Sequence, residues 1–73
     1  MTEYGVVLLF TTSEVMRAEK VLKKQGLDTK LIPVPRRFSS DCGVSLRFLW
    51  VDLDRVKAAL EAAGVETQAI HQL

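Results

Sequence analysis

The chain has 73 residues, 48% of them hydrophobic, with ten basic and nine acidic side chains and a formal charge of +1. That is apolar material enough for one core and too short a chain for two, so one domain over residues 1–73 is expected, with no charge excess to draw in nucleic acid or anionic lipid. The longest apolar run, Val6 to Phe10, falls far below the roughly 20 residues of a spanning helix, and a single cysteine allows no internal disulfide. The opening Met1-Thr2-Glu3-Tyr4 lacks the basic and long apolar regions of a secretion signal, so a cytoplasmic location is expected.

Strands are expected near residues 4 to 10, 29 to 34, 44 to 49 and 66 to 71, and helices near 13 to 25 and 52 to 63. In the first strand Val6, Leu8 and Phe10 form one side-chain set and Val7 and Leu9 the other. Thr11, three residues before Glu14, reads as a capping box for the first helix. The stripe Val15, Ala18, Val21 and Leu22 follows, and Gly26 closes the helix as its C′ residue. The third strand repeats the first set as Val44, Leu46 and Phe48. Asp52 reads as the N-cap of a second helix whose stripe is Leu53, Val56, Ala59, Leu60 and Ala63, with Gly64 after it. Pro33 marks the second strand as an edge strand.

The two βαβ segments superpose without a gap at an offset of 38, residues 5–35 on residues 43–73. Nine pairs are then identical: Gly5/Gly43, Val6/Val44, Leu8/Leu46, Phe10/Phe48, Arg17/Arg55, Leu22/Leu60, Gly26/Gly64, Thr29/Thr67 and Ile32/Ile70. Duplication and the pattern shared by any two βαβ units explain this equally well. The order βαββαβ implies an α+β, ferredoxin-like sandwich: an antiparallel sheet of strand order 4-1-3-2 with both helices on one face. Val7 and Leu9 are then expected on the other face, where their apolar character calls for a partner, in the simplest case a second copy in a homodimer.

Residues 36–42, Arg36-Arg37-Phe38-Ser39-Ser40-Asp41-Cys42, join the halves and match nothing in the repeat, and loops freed from packing are where function tends to reside. The topology brings this loop to the end of the sheet where the first strand hands over to the first helix, so Cys42 is expected near Thr11, Thr12 and Ser13. Helix N–H groups with Arg36 and Arg37 would favour a thiolate there, while Asp41 opposes it. Ser39 and Ser40 would add donors to a bound anion, and Gly43 would let backbone approach closely. The plain alternative is that a lone cysteine is a buried small hydrophobe. His71 lacks the companions of a zinc set and reads as a solvated edge residue, and Trp50 reads as packing. The basic side of the first helix reads as a solvated face with a Glu19–Lys23 pair.

Ile32-Pro33-Val34-Pro35-Arg36 followed by Ser39-Ser40-Asp41-Cys42-Gly43-Val44-Ser45-Leu46-Arg47-Phe48 resembles the signature of the small bacterial family called putative selenium/sulfur carrier-like, formerly a domain of unknown function. Arg17-Ala18-Glu19 and Gly64-Val65-Glu66 also fit, so the resemblance spans nearly the whole chain. It implies that Cys42 carries sulfur or selenium as a persulfide or selenopersulfide, received from a cysteine desulfurase or a selenium-handling protein. Asp41 stands where the family pattern often has a small polar residue such as Ser. Two other functions compete: a small regulatory ligand-binding module in which Cys42 is dispensable, and an RNA-binding module, disfavoured because Val44 to Phe48 lacks the required aromatics. No general base, oxyanion hole or cofactor motif is visible, so no enzyme activity is assigned.

Overall fold

The computed structural model describes residues 2–38 and 42–73. The elements are β1 (Tyr4–Leu8), α1 (Thr12–Lys24), β2 (Thr29–Pro33), β3 (Val44–Leu49), a 3₁₀ turn (Trp50–Asp52), α2 (Leu53–Ala62) and β4 (Ala69–Gln72). The fold is α+β: two helices on an antiparallel sheet of order β2-β3-β1-β4, which is 4-1-3-2 counted from the opposite edge. Pro33 ends β2, an edge strand, where its missing N–H leaves no ladder bond unmade on the outer side.

Register fixes the faces, because residues directly opposite in an antiparallel pair point the same way. Val7 lies opposite Leu46 and Ile70, and Gly5 opposite Phe48. Val7, Leu9, Leu46 and Phe48 form one buried cluster with Val15, Ala18 and Leu22 of α1 and Val56 and Leu60 of α2. Both helices therefore cover this face.

The expected phase of β1 is thus reversed. Val7 and Leu9 are fully buried beneath the helices, and Val6 and Leu8 face the other way. Phe10, expected to match core Phe48, lies beyond the strand and is 37% exposed. The gapless offset lays the helical stretch 12–24 on 50–62 but not the strands that feed them, because three residues separate β1 from α1 whereas β3 runs directly into the 3₁₀ turn. The homodimer argument built on Val7 and Leu9 fails with it, since the chain's own helices satisfy them.

Val6 and Leu8 are nonetheless sealed, at 0% and 1% exposure. The chain leaving β2 at one edge of the sheet reaches β4 at the other. Phe38 stacks on His71 with ring centroids 4.2 Å apart, and Arg37 donates to the Gln72 carbonyl at 3.4 Å and lies over the Phe38 ring. His71 is opposite Val6, so this strap passes over the face away from the helices. Here His71 differs from the solvated edge residue expected.

Helix ends are set locally. Thr11 Oγ1 accepts from the Glu14 amide at 3.2 Å, the forward half of the capping box. Asp52 holds the N-cap position of α2 without a capping bond and instead lies 3.9 Å from Arg55. Both C-termini close in the same way. Gly26 and Gly64, at φ 75 and 70, occupy the left-handed conformation, and Leu27 and Val65 amides reach back to the Leu22 and Leu60 carbonyls. Arg17 then donates to the Ala63 carbonyl at 2.6 Å, and Arg55 to the Gln25 carbonyl at 3.3 Å. Each helix supplies the cation at the other's C-terminus, so the two run antiparallel.

Candidate functional site

Cys42 enters β3 from the loop, two residues before the strand begins. The adjoining Gly43 carbonyl accepts from the Val34 amide at 3.3 Å, extending the β2–β3 ladder by one rung and fixing the backbone just after the cysteine. Its Sγ lies 3.5 Å from Thr12 Oγ1, where either atom serves as donor. Thr12 is the first residue of α1, a position whose amide the helix itself does not use. The expected meeting of Cys42 with the start of the first helix is therefore present through Thr12. Thr11 is committed to capping Glu14, and Ser13 is exposed in the first turn.

The thiol is not presented to solvent. Cys42 is 5% exposed and belongs to the cluster that contains Leu9 and Val15. The loop, expected to be freed from packing, therefore gives its cysteine to the core, where Sγ meets the start of α1 at Thr12. Arg36 is exposed in the turn before Phe38. Ser39, Ser40 and Asp41 lie outside the described residues. A Cβ on Gly43 would meet no described atom within 4 Å, so no close backbone approach is required of it.

The glycine that packing does require is Gly5. A Cβ there would lie 2.5 Å from Phe48 Cζ and 2.6 Å from Trp50 Cε3, so the two aromatic rings rest on bare backbone. Trp50 packs on Phe48 with centroids 6.0 Å apart. The sequence signal for this was the bare glycine at the head of an otherwise bulky apolar strand.

Among the described residues no group of three or more His, Cys, Asp or Glu is placed to hold a metal ion, and no helix is long and apolar enough to cross a membrane. Surface hollows lie elsewhere, one between α2 and β4 lined by Lys57, Leu60, Val65 and Ile70, another beside Leu49 and Val51. Neither includes Cys42.

A two-helix, four-stranded α+β domain whose one cysteine lies between an inter-strand loop and a helix start is the class that the geometry defines. The chain belongs to the family described as "Putative Se/S carrier protein-like", whose model matches residues 4–72. No curated protein and no solved structure gives a match.

Proposed function

We propose that this chain is a sulfur or selenium carrier, built on a ferredoxin-like βαββαβ sandwich, in which Cys42 bears the transferred atom. The observation that carries the reading is the placement of that cysteine against Thr12 at the head of α1, in a chain matched over residues 4–72 by the carrier family. Thr12 is the residue assigned to hold the sulfur by hydrogen bonding. Arg36, Ser39, Ser40, Gly43, Thr11 and Ser13 are assigned to the surface that receives the donor.

Loading needs no external oxidant. The Cys42 thiolate attacks the terminal sulfur of a donor persulfide, a new S–S bond forms at Cys42, the donor's own S–S bond breaks, and the donor cysteine leaves as a thiolate that takes up the proton Cys42 gave up. A terminal selenium is passed in the same way. The donor is a cysteine desulfurase or a selenium-handling protein, and the setting a cytoplasm that keeps thiols reduced. Sγ is buried in the free chain, so loading requires the donor to uncover it on docking. A carrier benefits from a closed cargo site that opens on its partner.

The test is intact mass after incubation with a cysteine desulfurase and cysteine. Wild type gains one sulfur, dithiothreitol removes it, and Cys42→Ser gains none. If wild type gains none while the desulfurase still loads another acceptor, the carrier reading falls and a regulatory ligand-binding module with a structural cysteine takes its place.

A further inference from the structure

The formal charge of +1 conceals an uneven distribution. None of the four strands contains Asp or Glu; their only fully charged side chains are Lys30 and Arg47. The register places these two directly opposite each other, and the same row continues through Val6 to His71. All four lie on the face away from the helices.

Like charges directly opposite across two strands destabilise a sheet. A carboxylate on a neighbouring strand would relieve this, yet the two ion pairs among the described residues, Glu19–Lys23 and Asp52–Arg55, both lie on the helical side. Arg47 rests instead on the Tyr4 ring, 4.2 Å from its centroid, and Lys30 is exposed. The strap of Arg37 and Phe38 occupies the β4 side of this face. What remains is a strip of Lys30, Arg47, Tyr4 and Leu49, two cations beside partly buried apolar surface.

We infer that this strip is a docking surface for an acidic, extended segment of a partner protein. Charge complementarity selects the occupant: carboxylates would neutralise the Lys30–Arg47 pair while aliphatic carbons of the segment cover Tyr4 and Leu49. A second copy is the poorer fit, because a two-fold axis through the strip would set one Lys30–Arg47 pair against another. Single-stranded nucleic acid fits poorly, since bases need free aromatic faces and here Tyr4 is covered by Arg47 and Phe38 by His71. This inference stands whether or not Cys42 carries a chalcogen.

The test is a titration of the isotopically labelled full chain, followed by backbone NMR, with a short glutamate-rich peptide; oligothymidylate and inorganic phosphate serve as parallel arms at equal ionic strength. The peptide moves the amides of Lys30, Arg47 and Tyr4, and Lys30→Glu weakens binding on the order of tenfold. Lys30→Glu also melts at a higher temperature than wild type, because it replaces a like-charge pair by an opposite one. A residue held for stability would do the reverse. Peptide shifts confined to the basic side of α1, tighter binding of oligothymidylate to the strip, an equal response to phosphate alone, or a lowered melting temperature in Lys30→Glu would each overturn the inference.

Discussion

The helix ends and the strands of the two halves respond differently to the same offset of 38. At the helix C-termini the halves share their closing bonds: Gly26 matches Gly64, Leu27 matches Val65, and the Arg17–Ala63 contact matches the Arg55–Gln25 contact. At the opening strands they do not, for Val6 faces away from the helices and its counterpart Val44 packs toward them. Helix termination is a local matter of a left-handed residue and two backbone bonds, so it survives in sequence. Strand phase depends on how the following connection meets the sheet, and one residue of slippage inverts it.

The pair Gly5/Gly43 gives the largest expected contrast. Alanine at Gly5 drives a methyl into Phe48 and Trp50, and overpacking of this kind costs about 1–3 kcal/mol, while Gly43→Ala meets open space and is expected to change stability by less than about 0.5 kcal/mol. Urea denaturation of the two variants measures the difference. Equal losses would mean that the sequence repeat, and not the packing, describes these positions.

How much was legible follows from the same distinction. The element order, the capping role of Thr11, both terminating glycines and the β2 edge could be read from local residue chemistry. So could the approach of Cys42 to Thr12, because strand adjacency alone brings that loop to the head of α1. The face of β1 could not, since Val6 to Leu9 is apolar at every position and gives no alternation to follow. A strand buried on both sides reads as a continuous apolar run. The strap was hidden for a different reason: Phe38 on His71 is a contact between residues 33 positions apart with no periodic signature. The burial of Cys42 was open to reading as the ordinary state of a lone cysteine, and the loop's lack of a repeat partner pointed the other way.

The strap sharpens the comparison between the faces, since one is covered by helices and the other is crossed on its β4 side by Arg37 and Phe38. Phe38→Ala removes the ring stacked on His71, and loss of such a pair costs about 0.5–1.5 kcal/mol beyond the area it covers. Val6 and Leu8 then gain solvent access, and the amide exchange of β4 is expected to quicken more than that of β3. Exchange mass spectrometry on the folded variant reads this. Uniform quickening across the sheet would show that the strap acts only through global stability.

The smallest contrast between the halves is expected at the helix ends, where the two agree. Gly26→Ala and Gly64→Ala each force a Cβ into the left-handed region at about 1–2 kcal/mol, and the two losses are expected to match, since neither site has an atom within 4 Å to clash with. For the arginines, a cation at a helix C-terminus is worth about 0.3–1 kcal/mol, and exposure to solvent keeps both near the lower bound. Arg17→Ala is expected to cost slightly more than Arg55→Ala, because its bond to the Ala63 carbonyl is 2.6 Å against 3.3 Å for Arg55 to Gln25, and because Arg55 also leans toward Asp52. The two contacts lie at opposite ends of an antiparallel helix pair and share no partner, so the double variant is expected to lose the sum of the single losses. Both losses shrink in high salt, which screens an exposed cation from a helix end. Thermal denaturation of the four proteins at low and high ionic strength decides the matter. A double variant that loses much more than the sum would mean that the arginines hold the helices together as one clamp, and the likeness of the two halves would then extend from local helix termination to the packing between them.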